Sequence, residues 1–365
     1  MDSVNPSRLA ALVPGPAALE RMVYLVGPAR GGTSVIHMAM DVHPKALVLP
    51  GVTHFLQQVW RYRNKVHERL LRMILRSAQC WHNDAILARL DADQNAEFIR
   101  LVNAAFKSRG LAPLYKLYPV AYALSPDFAK IPSEIACWHD KSNDWRHLGP
   151  LAAAFPAAKF IFVVRDPRSV ALSGALRMSV KEGEAVARAD AASLIDMALY
   201  WRLMVQRCLA FAQRHPERCR IVRFEDFLAA PAVTLRELFR FTVGDAPTEE
   251  VIERGLANVI GGASNEAGEY RGISREPMQR WRTALAPSDI ALVEQVTAPT
   301  ARKAGYEIGR GRGVAGSLKA VRLLDGAKAR ARATAKVLIE EVYELRVRAA
   351  RPPAQIAPAL RPQRG

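Results

Sequence analysis

Continuous apolar runs punctuate the first two thirds of this chain, and each is followed by a turn and then by a segment with helical spacing. The clearest runs cover residues 22–26 and 160–164, and two weaker ones cover 46–49 and 220–224. Strands buried on both faces of a parallel sheet have this continuous apolar character. The alternation therefore predicts an α/β fold with three layers, α/β/α, around a central parallel sheet. In such a fold the ligand binds at the carboxyl ends of the strands.

Helical spacing fills the segments between these runs. The predicted helices cover 33–42, 167–181, 193–214 and 231–241, and one more helix ends within 151–155. A longer helical region is predicted over 53–107, as an insertion after the second strand. The Trp, Tyr, His and Arg side chains of this insertion suit an anionic or sugar-like acceptor. They suit an ordinary amphipathic surface equally well.

The turn after the first strand has the composition of a phosphate-binding loop. Residues 27–34 are Gly-Pro-Ala-Arg-Gly-Gly-Thr-Ser and connect a strand to a helix. In such a loop backbone N–H groups converge on an anion, and the helix N-terminus adds partial positive charge. Thr33 stands where a nucleoside-triphosphatase P-loop has its lysine, which disfavours γ-phosphate chemistry. The residues predicted to contact the anion are Arg30, Gly31, Gly32, Thr33 and Ser34.

A second cationic motif follows the strand at 160–164. Residues 165–173 are Arg-Asp-Pro-Arg-Ser-Val-Ala-Leu-Ser, and the proline suits the first turn of a helix. Arg165 at the strand end and Ser173 on the helix can together hold a second phosphate, with Arg177 one turn further along the same face. The alternative is that these arginines form surface ion pairs.

These two motifs together resemble those of the sulfotransferase superfamily that uses 3′-phosphoadenosine 5′-phosphosulfate (PAPS). In that family the first motif binds the 5′-phosphosulfate and the second binds the 3′-phosphate, on a P-loop-like fold. In layout the chain is most similar to bacterial and tyrosylprotein sulfotransferases, over roughly residues 20–308. Three further segments resemble family elements: Lys141-Ser142 before 155–161, 221–227 with Pro231, and 280–282 before 304–306.

The resemblance implies transfer of a sulfuryl group from PAPS to an acceptor hydroxyl. Arg30, the loop amides and Lys141 would stabilise the charge that develops during transfer, and no metal is required. The nucleotide would also be held near the end of the domain, where Ser264, Arg271 and Arg280 lie. Phe224 stands where many members have Tyr, so one hydroxyl contact is missing.

The general base is where the sequence departs from the family. Asn143 occupies the position of the base histidine of cytosolic sulfotransferases, and Gly51 occupies that of the glutamate of tyrosylprotein sulfotransferases. His54 lies one helical turn beyond Gly51, so we predict His54 as the base because a histidine titrates near neutral pH. A packing role in the insertion is the alternative for His54. Glu134 and His139 are alternative bases.

Composition is consistent with a single large domain. The chain has 365 residues, of which half are hydrophobic, and its two cofactor motifs must meet in space. We predict an N-terminal segment over 1–20, a sulfotransferase domain over 21–308 and a tail over 309–365. The four cysteines show no metal or disulfide spacing, and no signal peptide or membrane span is evident. A cytoplasmic, bacterial protein is the expectation.

The net charge of +17 is concentrated in the tail. Residues 309–365 contain thirteen Lys or Arg and four Asp or Glu. A basic amphipathic helix here could contact an anionic membrane surface or an acidic partner. It could equally pack on the enzyme or on another subunit. Nucleic acid is disfavoured as a partner because the tail offers a single aromatic residue for stacking, Tyr343.

Two other functions are also compatible with the sequence. A P-loop kinase is suggested by the strand, glycine-rich loop and helix, with Asp166 ending an apolar strand as a Mg²⁺ ligand would. A non-catalytic nucleotide-binding scaffold is suggested by the missing family base. The acceptor could be a carbohydrate, a lipid headgroup, a small metabolite or a peptide, since each presents a hydroxyl.

Overall fold

A five-stranded parallel sheet forms the centre of the computed structural model, which describes residues 9–53, 90–108, 110–125, 127–179, 189–261, 270–274 and 278–309. The strand order is β2-β3-β1-β4-β5, so the first strand lies in the middle and chain crossovers run to both sides. The strands are β1 (Met22–Val26), β2 (Ala46–Val48), β3 (Cys137–Ser142), β4 (Lys159–Val164) and β5 (Cys219–Arg223).

Helices cover both faces of this sheet. They are α1 (Pro16–Glu20), α2 (Thr33–Met40), α3 (Ala92–Ser108), α4 (Leu111–Ala123), α5 (Leu148–Ala154), α6 (Pro167–Ser179), α7 (Ala191–Arg214), α8 (Phe224–Ala229), α9 (Pro231–Thr242), α10 (Glu249–Ala257), α11 (Arg280–Ala284) and α12 (Pro287–Lys303). A two-stranded antiparallel ribbon joins β6 (Ile260–Gly261) to β7 (Tyr270–Arg271). No helix within the described ranges is both long and apolar enough to cross a membrane.

The hydrophobic core has one layer on each side of the sheet. On one face Tyr24, Trp138 and Phe160 pack with side chains of α4 and α7. On the other face Val23 and Ile161 pack with α2 and α9. Burial on both faces explains why β1 and β4 are continuous apolar runs.

The predicted α/β/α class with a central parallel sheet is confirmed, and the predicted elements differ from the observed ones mainly at their ends. The strand expected over 46–49 ends at Val48, and that expected over 220–224 covers Cys219–Arg223 instead, because Phe224 already starts α8. Of the insertion predicted over 53–107, the described part contains helix Ala92–Ser108. Residues 54–89 and the tail beyond 309 lie outside the described residues.

One central strand does not follow the apolar rule. β3 has the sequence Cys-Trp-His-Asp-Lys-Ser, and all six residues are buried. It pairs in parallel with β1 on one side and with β2 on the other, so its backbone groups are hydrogen-bonded within the sheet. The polar side chains are therefore placed in the middle of the fold, where burial without partners would be costly. Their partners lie at the carboxyl end of the sheet and define the candidate active site.

Candidate active site

The loop after β1 is held in a left-handed turn. Arg30 has φ of 70° and Gly32 has φ of 88°. The N–H of Gly31 donates to the carbonyl of Pro28 at 2.8 Å and closes the turn. A Cβ at Gly32 would lie 2.3 Å from the ring of Phe224, so this position requires glycine for space as well as for conformation. The aromatic ring of Phe224 thus packs directly against the loop at Gly32.

The loop leads directly into the N-terminus of α2. Thr33 and Ser34 are its first two residues, and the N–H groups of Val35 and Ile36 donate to the carbonyl of Gly32. The first amides of a helix have no intrahelical acceptor and carry a partial positive charge. An anion above Ser34 would therefore meet both hydroxyl and amide donors.

Lys141 brings a positive charge to the same helix end. Its Nζ donates to Oγ of Ser34 at 2.8 Å, although 107 residues separate the two in sequence. Lys141 is 7% exposed, and burial lowers its pKa. The parallel pairing of β1 with β3 sets Lys141 beside Leu25, two residues before the loop. A partly desolvated ammonium group interacts strongly with an anion placed against it.

Two arginines and a serine connect this loop to the second predicted motif. Arg30 Nε donates to Oγ of Ser173 at 2.8 Å, and Arg165 Nη1 donates to the carbonyl of Arg30 at 3.0 Å. Burial, and then the nearby charge of Arg177, lowers the pKa of Arg30. Arginine stays protonated despite such shifts. The two motifs that the sequence separates by about 135 residues are therefore one site.

The peptide that carries Arg165 is fixed from two sides. The indole N–H of Trp201 donates to the carbonyl of Arg165 at 2.9 Å. The next N–H, that of Asp166, donates to the Glu225 carboxylate at 2.9 Å, and the hydroxyl of Tyr306 donates to the other oxygen of Glu225 at 2.7 Å. The guanidinium of Arg165 lies 5.2 Å from the ring centre of Phe224. Its direction is set before any ligand arrives.

Asp166 itself is not placed to hold a metal. Its carboxylate accepts from Nε and Nη2 of Arg168, at 3.0 and 2.6 Å. Arg168 also bonds Glu294 at 2.9 Å and lies 4.0 Å from the ring centre of Trp281. This ion-pair cluster attaches α11 and α12 to the start of α6. It weakens one of the two observations that favoured a kinase, since a Mg²⁺-binding aspartate needs an open carboxylate, and it leaves the glycine-rich loop unaffected.

A buried carboxyl group lies directly beside Lys141 in the chain. Asp140 accepts a hydrogen bond from Oγ1 of Thr53 at 2.8 Å and a second from the hydroxyl of Tyr115. Burial raises the pKa of Asp140 to about 6, against the hydrogen bonds that lower it. Thr53 is the last described residue after β2 and precedes His54 in the chain.

The structure therefore brings together most of the predicted site. Eight predicted residues meet at the carboxyl ends of β1, β3 and β4: Arg30, Gly31, Gly32, Thr33, Ser34, Lys141, Arg165 and Ser173. Arg177 is exposed in the last turn of α6, near enough to Arg30 to affect its pKa. Arg280 is exposed on α11, the short helix that packs on α6.

Several predicted residues are not described or are not near the site. His54 and Ser264 lie outside the described residues, as does the side chain of Arg271. Glu134 is exposed before β3, at the far end of the strand from Lys141. His139 is fully buried in mid-strand, and burial lowers its pKa to about 3. The structure thus does not bring the alternative bases Glu134 and His139 to the site.

The residues that position the site through hydrogen bonds to its backbone were not predicted from the sequence. Trp201 and Glu225 position Arg165, and the hydroxyl of Tyr200 accepts from the N–H of Ala29 at 3.4 Å. Tyr200 and Trp201 are consecutive within a long amphipathic helix, where helical spacing does not separate them from ordinary core residues. Glu225 had a usable signal, because it lies in the segment that resembled a family element. Within the described residues no group of three or more His, Cys, Asp or Glu side chains is arranged to hold a metal ion.

Comparison with known proteins identifies the family. Residues 23–244, more than half of the chain, match the model of the Sulfotransferase family. Protein-tyrosine sulfotransferase 1 of Danio rerio is 21% identical over 295 residues, which cover 78% of this chain and 72% of that protein.

Solved structures show the same fold. The sulfotransferase domain of the Synechococcus PCC 7002 olefin synthase superimposes with a TM-score of 0.53 at 19% identity, over 81% of this chain and 97% of that one. The sulfotransferase domain of the curacin biosynthetic pathway gives a TM-score of 0.51 at 18% identity, over 81% and 99% of the two chains. The range that matches the family model includes both the loop of residues 27–34 and the motif of residues 165–173. The chain therefore belongs to the sulfotransferase family and is a sulfotransferase enzyme.

Proposed function

We propose that this enzyme moves a sulfuryl group from PAPS to an acceptor hydroxyl. The observation that carries the proposal is the pairing of cations with serine hydroxyls around the loop of residues 27–34: Lys141 with Ser34 of α2, and Arg30 with Ser173 of α6. A serine hydroxyl is neutral, so its hydrogen bond to a cation brings no negative charge to the site. An anionic ligand supplies that charge and forms stronger, charge-assisted bonds.

The two phosphate-bearing ends of PAPS match two parts of this site. The 5′-phosphosulfate fits the loop of residues 27–34, with its amides, Arg30 and Lys141. The 3′-phosphate fits Arg165 and Ser173, with Arg177 at the rim. Because Arg165 Nη1 already holds the carbonyl of Arg30, the two halves are preorganised relative to one another.

The transfer balances without any group beyond the two substrates and a base. The acceptor oxygen forms a bond to sulfur while the bond from sulfur to the bridging phosphate oxygen breaks. The bonding electron pair stays on that oxygen, and adenosine 3′,5′-bisphosphate leaves. Lys141, Arg30 and the amides of α2 stabilise the charge that builds on the bridging and sulfuryl oxygens.

The acceptor proton goes to a base, for which we retain His54. Its chain neighbour Thr53 bonds Asp140, which precedes Lys141. The His54→Ala variant is expected to lose at least about 100-fold in kcat, while its affinity for adenosine 3′,5′-bisphosphate is unchanged. Near-normal turnover by this variant would remove His54 from the mechanism.

Calorimetry with adenosine 3′,5′-bisphosphate tests whether the enzyme binds the nucleotide of PAPS. We expect the wild type to bind in buffer without Mg²⁺ and Arg165→Ala to bind about 100-fold more weakly. Arg220→Ala is the matched control, because Arg220 is an exposed arginine near the amino end of β5. Binding of Mg²⁺·ATP in place of the bisphosphate would contradict the proposal.

An acceptor screen with labelled PAPS then separates an enzyme from a scaffold. The panel comprises carbohydrate, lipid headgroup, phenolic and tyrosyl-peptide hydroxyls. Label transfer to one class establishes the activity and names the acceptor. Tight bisphosphate binding with no transfer to water or to any acceptor, under conditions that support a control sulfotransferase, would favour the non-catalytic scaffold.

A further inference from the structure

A second concave site lies at one edge of the sheet, formed by strand β5 and helices α7 and α12. It is a cleft of about 550 Å³, a volume within the range of ligand pockets. Its β5 wall consists of the consecutive residues Cys219, Arg220 and Ile221. Its described lining residues include none of Arg30, Ser34, Lys141, Arg165 and Ser173.

The three consecutive wall residues indicate that the cleft runs along the edge of β5. Side chains alternate between the two faces of a strand, so three in a row can line a single cleft only when the cleft passes the strand edge. Arg220 and Ile221 point to opposite faces and are both exposed. β5 pairs with β4 on one side and is the last strand of the sheet as described. Among the described residues no further strand pairs with its outer side, and an edge strand presents N–H and C=O groups there.

The cleft is also positively charged. Arg202, Arg220 and Lys303 line it, and no Asp or Glu is among its described lining residues. The guanidinium of Arg202 donates to the carbonyl of Val296, so its hydrogen bond is made but its charge is not neutralised.

The guanidinium of Arg220 donates to the carbonyls of Pro216 and Cys219 and lies 4.2 Å from the ring centre of Phe241. Just beyond the cleft, Lys159 has a lowered pKa, first because of burial and then because Arg220 and Arg218 lie close. The Glu217 carboxylate raises the pKa of Lys159 to a smaller extent. The surface around the start of β5 thus has an excess of positive charge.

We propose that the open edge of β5 receives an extended, acidic segment of a partner polypeptide as an added strand. Main-chain hydrogen bonds to β5 would supply the affinity, and carboxylates of the partner would meet Arg202, Arg220 and Lys303. The chain's own tail is an unsuitable occupant, because residues 310–365 carry thirteen Lys or Arg against four Asp or Glu. Like charges would repel it from this cleft.

The apolar side chains of the cleft add a preference for alternating sequence. Leu209, Ala212 and Ile221 line it together with the three cations. A strand with acidic residues on one side and Val or Ile on the other satisfies both sets, because its side chains alternate with a period of two. The partner segment is therefore expected to alternate acidic and β-branched residues over about five or more positions.

Fluorescence anisotropy with the full chain tests the charge component. The probe is a labelled nine-residue peptide of alternating Glu and Val, with a Lys and Val peptide for comparison. We expect saturable binding of the acidic peptide alone, weakened at least tenfold in the double variant Arg220→Glu, Lys303→Glu. The control is Arg254→Glu, an equally exposed charge reversal on α10, expected to change binding less than twofold.

The backbone component is tested separately. Deuterium exchange of residues 219–223 should slow at least tenfold with the acidic peptide bound. A peptide N-methylated at alternate residues on its pairing edge should bind at least tenfold more weakly. The proposal is overturned by equal losses in Arg254→Glu, by unchanged exchange in β5, or by binding of phosphatidylserine vesicles in place of the peptide. These measurements need no nucleotide, so their failure is distinct from failure of the proposed transfer reaction.

Discussion

The two ends of the same parallel sheet use arginine and lysine in different ways. At the carboxyl ends of the strands, Lys141 and Arg30 donate to serine hydroxyls. At the amino ends, Arg218 donates to three main-chain carbonyls within 152–158, and Arg21 donates to two carbonyls at the end of α9. A carbonyl at a helix end is a fixed part of the fold, whereas a serine hydroxyl can rotate to a ligand.

For these four cations the hydrogen-bond partner differs with the end of the sheet, whereas Arg165 donates to a main-chain carbonyl although it lies at the carboxyl end. Cations bonded to helix-end carbonyls satisfy acceptors that the helix leaves open, so they stabilise the native chain. Cations bonded to the serine hydroxyls beside the glycine-rich turn meet a neutral acceptor that an anionic ligand can replace. We therefore expect substitutions at the carboxyl ends to reduce turnover and those at the amino ends to reduce stability.

The largest expected effect is on Lys141. Lys141→Met should lower kcat/KM by about 10³-fold, roughly 4 kcal/mol, because it removes a preorganised charge from the transition state. Initial rates with labelled PAPS and the acceptor from the screen measure this. Lys159→Met at the amino end of β4 is the matched control and should stay within twofold. Similar losses in both variants would erase the distinction between the two ends.

Gly32 should show the next largest effect, in this case on stability. Gly32→Ala is expected to lower the free energy of unfolding by about 3 kcal/mol, since it combines a left-handed conformation with a clash against Phe224. Urea unfolding measures the loss. Gly272→Ala provides the control, because Gly272 has φ of 87° and no atom of the described residues lies within 4 Å of a Cβ placed there. We expect Gly272→Ala to lower the free energy of unfolding by about 1 kcal/mol. Equal losses in the two variants would mean that the Phe224 ring moves aside to make room.

Arg218 tests the amino end directly. Arg218→Ala should lower the free energy of unfolding by about 2 kcal/mol, because the carbonyls of Ala152, Phe155 and Ala158 lose a charged donor. Thermal or urea unfolding gives this value, and kcat/KM at a temperature where the variant is folded should match that of the wild type. A stable variant with reduced turnover would reverse the assigned roles.

The smallest expected effect is a pH dependence from Asp140. Its pKa of about 6 in the fold lies above that of an ordinary aspartate, so the native state holds the proton over a range where the unfolded chain has lost it. Stability should therefore fall as pH rises from about 4 to 6, by about 1–2 kcal/mol. Asp140→Asn should flatten that slope, whereas Asp127→Asn, at an exposed residue, should not. If the pH dependence of stability persists in Asp140→Asn, another titrating group is responsible for it.

The apolar runs and the two motifs predicted four of the five strands and most of the residues that lie together at the carboxyl ends of the strands, because both depend on local sequence. β3 was missed, since its buried residues include Asp140 and Lys141 and lack an apolar run. Helices α4 and α12 were missed as well. Each contains an internal proline, Pro119 or Pro299, which local rules treat as a break. Tertiary packing overrides that penalty.

The supports of the site could not be predicted for a different reason. Tyr200 contacts Ala29 across 171 residues of sequence, and Tyr306 contacts Glu225 across 81. Such pairs depend on how helices pack, and no local spacing encodes them. The assignment of His54 as the general base stays a prediction.

Arg30 shows what the left-handed turn means for sequence variation. A side chain at φ of 70° costs about 1 kcal/mol or more relative to glycine, yet only a long cation there can reach Ser173. The position is locally frustrated, because its backbone favours one residue and its task another. In a saturation library at position 30, glycine should lead when survival depends on folding, and arginine should lead when it depends on sulfation. The gap between the two rankings would measure how much stability selection has given up for activity at a single codon.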